Sequence, residues 1–144
     1  MSELPKRFFD KWAASEPCGI AKLLGLTLTF AEPEHAIITM EAGPHLANPM
    51  GTLHGGVLCD LADGAMGTAW ATGLRDGETF STVELKINYF RPVWKATLTA
   101  EARVVRRGRT LGYIECDIRD EAGHLIARSG STCMTLREER AAGR

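Results

Sequence analysis

The sequence lacks any run approaching the roughly 20 apolar residues that a membrane-spanning helix needs. Met1 to Asp10 is charged and then aromatic, without the unbroken apolar stretch and small-residue cleavage site of an export signal. The expectation is a cytoplasmic protein with no membrane partner. Cys18, Cys59, Cys116 and Cys133 form no CxxC pair and are widely spaced among apolar or small residues, which reads as reduced structural thiols. A charge excess is missing too: 17 Lys and Arg face 18 Asp and Glu, a formal net charge of −1, which argues against a general nucleic-acid binder. There is no GxxxxGK phosphate loop, GxSxG nucleophile elbow, HExxH pair or closely spaced His/Cys set. No metal and no cofactor are therefore expected. The four histidines lie in separate turns, and His35, His45 and His124 read as solvated.

What is present fits a globular chain: 144 residues, 44% hydrophobic and 24% charged, enough for one core. A single domain over 1–144 is expected, with an N-terminal helical segment over 1–24 and a polar, flexible tail over 137–144. Phe8 and Trp12, four apart among charged residues, read as a short amphipathic helix, and Ile20, Leu23 and Leu24 as a further turn ending at Gly25. Short β-type runs over Leu26–Phe30 and Ala36–Glu41 flank a Glu32-Pro33-Glu34-His35 connection. A Gly, Pro and Asn-rich loop, Pro44–Leu53, leads into a helical segment over Val57–Leu74.

That helix is peculiar. Val57, Leu58, Leu61, Ala62, Ala65 and Ala69 share one broad face, extended by Met66 and Trp70, while the other side holds Gly64, Gly67 and Thr68. Apart from Cys59, its only ionisable groups are Asp60 and Asp63, so it reads as wrapped by sheet and by a neighbouring subunit. Beyond it the alternation is period two: Val83, Leu85, Ile87 and Tyr89, then Leu98 to Val104, then Ile114, Cys116 and Ile118, then Leu125–Leu136. The pattern is α+β, one helix packed on a strongly curved antiparallel sheet.

The chemistry concentrates in Asn48-Pro49-Met50-Gly51-Thr52-Leu53-His54-Gly55-Gly56 and in Asp63, nine residues after His54. Glycines opening a helix leave backbone N–H groups uncovered at its positive end, where a developing oxyanion can sit. Asp63, at the edge of the apolar face with no Lys or Arg in its helix, is expected to be desolvated and to be the stronger base for it. Asp60, one turn earlier, reads as a structural hydrogen-bonding acid.

These residues resemble the hotdog-fold acyl-CoA thioesterases of the phenylacetate-pathway (PaaI-like) type. Asn48, Gly51, His54, Gly55, Gly56 and Asp63 match one family motif, and Thr82, Glu84, Leu85, Ile87, Tyr89, Arg91 and Pro92 match a second at compatible spacing. The resemblance, covering about Leu24 to Leu136, implies a hotdog fold, in which a curved antiparallel sheet wraps one long central helix. It implies a homodimer or a dimer of dimers (a homotetramer), with active sites at the dimer interface. There Asp63 of one subunit would be nucleophile or general base toward the thioester, facing the Asn48 to Gly55 loop of the other. The Gly55 N–H would polarise the thioester carbonyl, Asn48 and His54 would orient the carbonyl or water, and Ser81 or Thr82 would place the water.

Gly56, Arg91, Arg106, Arg107 and Arg109 are candidate substrate-binding residues, since Arg grips the phosphates of coenzyme A bidentately. The alternative for Arg103, Arg106, Arg107 and Arg109 is a solvated charged turn. Hydrolysis of an aryl- or medium-chain acyl-CoA is the leading expectation. Its rivals are a hotdog enoyl-thioester hydratase or dehydratase, whose D-x-N-x-x-H or H-F-P stretches are not seen, and a non-catalytic acyl-CoA-binding protein on the same fold.

Overall fold

The period-two segments become one six-stranded antiparallel sheet in the computed structural model, which describes residues 19–142. Phe8, Trp12 and Cys18 lie outside the described residues. A short helix, α1 (Gly19–Leu24), precedes β1 (Thr27–Glu32) and β2 (His35–Ala42). The long helix α2 (Gly55–Ala71) follows, and then β3 (Thr79–Tyr89), β4 (Ala96–Arg107), β5 (Leu111–Arg119) and β6 (Leu125–Leu136). Spatial order is β1-β2-β4-β5-β6-β3, so β1 and β3 are the edges. No helix among the described residues is long and apolar enough to cross a membrane.

The core is the space between sheet and α2. Ile38 and Met40 of β2, Leu98, Ala100 and Ala102 of β4, and Ile114, Cys116 and Ile118 of β5 face Leu61, Ala62, Ala65, Met66, Ala69 and Trp70 of α2 and are almost completely buried. Each large side chain taken from water there stabilises the fold by about 1.5–3 kcal/mol. The alanines of α2 let the helix lie close to the sheet. The side of α2 expected to face a neighbour is partly covered by the chain itself: Thr68 is buried, and a Cβ at Gly67 would lie 3.2 Å from the Phe80 ring of β3.

Both ends of α2 differ from the expected 57–74. His54 caps the start two residues earlier, and at the other end Thr72 donates to the Ala69 carbonyl at 2.6 Å and accepts from Glu34 N–H at 2.7 Å. Glu34 holds the left-handed region with φ 65°, uncommon outside glycine. Its N–H to Thr72, its carbonyl to Val104 N–H at 2.9 Å and its carboxylate to Arg107 at 2.8 Å fix it there, tying the β1–β2 turn to the end of α2.

His35 is a correction. Its ring is buried, 2.8 Å from Glu101 and 3.2 Å from Glu32, because the β2–β4 register, pairing Ile37 with Glu101 and His35 with Arg103, makes Glu101 the diagonal neighbour of His35 on one face of the sheet. The tail is partly held: Arg137 donates to Glu78 at 2.7 Å and to the Arg109 carbonyl at 2.6 Å, and Glu138–Ala141 forms a 3-10 turn.

Candidate active site

Along α2 only Gly56, Asp60 and Asp63 are exposed, with Cys59 half-buried between them. Spacings of three and four put these residues on one stripe of the helix. Everything else on it is covered or half-covered, so this stripe is where α2 meets its surroundings.

At the head of the stripe the His54 backbone is extended (φ −63°, ψ 129°) and its Nδ1 accepts the Gly56 N–H at 3.0 Å. Among the described residues the Gly55 N–H has no partner, and it sits at the positive end of a 17-residue helix. Of the two glycine donors foreseen, Gly55 is thus free, whereas the Gly56 N–H is taken by the His54 ring. Asn48 is also engaged: its Oδ1 accepts from Met50 N–H at 3.0 Å and Thr52 N–H at 3.2 Å, and its Nδ2 donates to Thr52 Oγ1 at 2.9 Å. It shapes the loop preceding His54, a position from which one amide hydrogen is left to spend.

Tyr89, which the sequence offers only as a residue of the second motif, and Cys59, which it offers only as a structural thiol, belong to this end. The Tyr89 hydroxyl donates to the Gly55 carbonyl at 2.9 Å and lies 3.3 Å from Cys59 Sγ. A Cβ at Gly55 would come within 3.0 Å of the Tyr89 ring, which explains the glycine. Although Tyr89 is half exposed, partial burial of its hydroxyl, and then its contact with the Cys59 sulfur, push the phenol up to about 12, and it is a donor at neutral pH. The available signal was a tyrosine on the inward phase of a strand otherwise filled by Leu and Ile, because a phenol in such a place needs a polar partner.

Asn48, Thr52, Leu53, Gly55, Leu58, Tyr89 and Arg91 surround an open groove of about 320 Å³. Arg91 is therefore near Gly55. Arg106, Arg107 and Arg109 are not: they lie on β4 and the turn after it, where Arg107 reaches the far end of α2. The Arg107 guanidinium stacks 3.7 Å over the Trp70 ring, donates to the Trp70 carbonyl at 2.7 Å and pairs with Glu34 at 2.8 Å. Gly55 and Trp70 are about 22 Å apart at about 1.5 Å per residue. Arg107 is thus a helix clamp in this chain, and the basic strip of the sequence reading is split. Arg106 and Arg109 are exposed.

Farther along the stripe, Thr82 Oγ1 donates to Asp63 Oδ1 at 3.0 Å. A bulge puts it there. Thr82 pairs with Cys133 and Glu84 with Thr132, which leaves Val83 unpaired and exposed. The extra residue changes the phase of β3, so that Phe80 and Thr82 share the helix-facing side with Leu85 and Ile87, and Ser81 faces away. Strict alternation had placed Val83 with Leu85 instead.

Asp63 itself is exposed, so the desolvating surroundings expected for it are not supplied by its own chain. Asp60 makes no side-chain hydrogen bond among the described residues, contrary to the structural role expected of it. Partial burial, and then the charge of Asp63 one turn away, raise its carboxyl. No group of three or more His, Cys, Asp or Glu among the described residues is placed to hold a metal ion.

Comparison with known proteins bears on the family and the fold. The family model described as the thioesterase superfamily matches residues 50–127, just over half of the chain. The chain is 32% identical over 114 residues to human acyl-coenzyme A thioesterase 13, covering 77% of this chain and 81% of that protein. It is 26% identical to the 1,4-dihydroxy-2-naphthoyl-CoA hydrolase of Listeria monocytogenes, covering 79% and 93% of the two. The solved structure of a phenylacetic acid degradation-related protein from Ralstonia eutropha superposes with a TM-score of 0.80 at 26% identity, over 88% of this chain and 98% of that one. With the sheet wrapped on a single long helix and the two motifs meeting along one stripe of it, the chain belongs to the thioesterase superfamily, as a thioester hydrolase of the phenylacetate-pathway hotdog type.

Proposed function

We propose that this protein hydrolyses an aryl- or medium-chain acyl-CoA to the free acid and coenzyme A, in a composite site built by two copies of the chain. The observation that carries the reading is the spacing along α2. The free Gly55 N–H and the Thr82-held Asp63 share a stripe but stand eight residues apart. That is about 12 Å of helix, too far for both to act on one carbonyl. Two antiparallel copies meeting along β3 and this stripe bring Gly55 of each beside Asp63 of the other. The second copy also supplies the desolvation that the single chain withholds from Asp63. The names of the relatives support acyl-CoA as the substrate class.

In this site the thioester carbonyl oxygen lies at the Gly55 N–H, next to His54, and Arg91 lines the groove through which the coenzyme A portion approaches. Asp63 either takes the proton of a water as it attacks the carbonyl carbon or attacks that carbon itself; Thr82 orients the carboxylate. Negative charge forms on the carbonyl oxygen, the N–H at the helix terminus stabilises it, and collapse expels the coenzyme A thiolate. In the first route the free acid forms directly and the proton taken up by Asp63 passes to the thiolate; in the second, expulsion of the thiolate leaves an acyl–Asp63 anhydride, which a water then hydrolyses to release the acid and restore the carboxylate.

The test is thiol release from a panel of aryl and straight-chain acyl-CoAs, comparing wild type with Asp63→Asn. Release that falls by about 10² to 10⁴ in a folded variant supports the reading. Wild-type rates in that variant, or no release from any acyl-CoA by the wild type, would sink it.

A further inference from the structure

We propose that Tyr89 is a positioning residue of this site, whose hydroxyl acts through the Gly55–Gly56 peptide to hold His54 as a neutral ring with its proton on Nε2, beside the free Gly55 N–H. The inference rests on the functional reading above only in assigning the Gly55 end of α2 to catalysis.

The hydrogen bonds form a chain with one direction. Tyr89 O–H donates to the Gly55 carbonyl at 2.9 Å. Its hydrogen is thereby committed, so at the 3.3 Å contact with Cys59 the thiol is the donor and the phenol oxygen the acceptor. The Gly55 carbonyl and the Gly56 N–H belong to one conjugated peptide group. Accepting a bond at its oxygen makes that group a stronger donor at its nitrogen. The Gly56 N–H donates at 3.0 Å to His54 Nδ1, and a neutral imidazole that accepts at Nδ1 carries its proton on Nε2.

Sterics reinforce the relay. The Tyr89 ring fills the space over Gly55, and a Cβ at Gly56 would meet His54 Nδ1 at 3.1 Å, so the imidazole is folded back on the first turn. The head of α2 then presents two donors without a formal charge, the Gly55 N–H and the His54 Nε2–H. Both suit an oxygen on which charge develops during reaction, and neither attracts a carboxylate beforehand. Asn48 shapes the loop that delivers His54 but makes no hydrogen bond to the ring, which leaves Tyr89, among the described residues, as the side chain acting on its tautomer.

Tyr89→Phe separates the hydroxyl from the ring, since phenylalanine keeps the packing on Gly55. In substrate-free protein with ¹⁵N-labelled histidine rings, with the His54 signals assigned by their loss in His54→Gln, the wild type should show a protonated Nε2 and an unprotonated Nδ1. Tyr89→Phe should show both tautomers. With the acyl-CoA that the wild type hydrolyses fastest, its kcat should fall about tenfold while KM stays within about twofold, the pattern of a lost transition-state interaction. A wild-type ring protonated on Nδ1, a wild-type tautomer in the variant, or an unchanged kcat each overturns the proposal. If the wild type releases no thiol from any acyl-CoA, the functional reading falls by itself, and the tautomer comparison still decides whether Tyr89 governs His54.

Discussion

Replacing Arg107 separates two roles that a basic residue in this sequence could have, phosphate grip and helix clamp. Its guanidinium donates to the Trp70 carbonyl at the end of α2 at 2.7 Å, a bond to a charged group worth about 1.5–3 kcal/mol. Stacking 3.7 Å above the fully buried Trp70 ring contributes about 1 kcal/mol. The ion pair with Glu34, whose side chain is 46% exposed, contributes at most about 1 kcal/mol after solvent screening. The three share one side chain and do not simply add, so Arg107→Ala should lower stability by about 2–4 kcal/mol. Urea unfolding followed by tryptophan fluorescence, at one fixed protomer concentration, measures this. Arg107→Lys keeps the charge but loses the fork and the stacking, and should recover less than half. KM for acyl-CoA should stay within about twofold of wild type where the variant is folded. Unchanged stability with a tenfold rise in KM would refute the clamp and return Arg107 to the coenzyme.

Thr82→Val removes the hydroxyl on Asp63 and should lower kcat about tenfold, whereas Ser81→Ala, on the opposite face of β3, should stay within about twofold; steady-state thiol release compares them. Equal losses would show that the bulge at Val83 does not decide which hydroxyl serves Asp63. The Arg128 hydrogen bond to Asp117, which outweighs the effect of burial, holds that carboxyl below its ordinary 3.8. Because the folded value is the lower one, the pair stabilises the protein fully at neutral pH, and that contribution is lost as pH falls through and below 4. Asp117→Asn should therefore unfold at lower urea concentration at pH 7, with the difference from wild type shrinking toward pH 3.

The alternation of β4 and β5 was legible because both strands lie inside the sheet, where one face must meet α2 and polar residues have only the other. The same rule misread β3. A bulge is an extra residue whose presence depends on the partner strand, and nothing in Ser81-Thr82-Val83-Glu84 announces that Thr82 and Leu85 will share a face. His54-Gly55-Gly56 could be read as a helix head since capping is local. The occupation of the Gly56 N–H by His54 was not, because it depends on a ring rotamer. Partners brought by register or by helix packing were invisible: Glu101 reaching His35, Arg107 reaching Trp70, Tyr89 reaching Gly55. The charge-poor helix pointed correctly to a covered surface, yet much of the cover, Phe80 included, comes from the chain itself. What stays open is the narrow stripe Gly56, Asp60 and Asp63.

Whether the site is shared between two chains is decided by complementation. Asp63→Asn removes the carboxylate, and Gly55→Pro removes the N–H at a first helical position that accepts proline; because a Cβ there already lies 3.0 Å from the Tyr89 ring, the variant's circular dichroism and oligomer size are matched to wild type first. Each variant alone should release almost no thiol. Co-expressed with two different affinity tags and purified through both, the mixed oligomer contains sites that pair the intact Asp63 of one chain with the intact Gly55 of the other. Clear recovery of thiol release, up to half the wild-type rate for a mixed dimer with one intact site of two, is the result expected. No recovery in a mixed oligomer of normal size would contradict the shared site and place both groups of each site within one chain.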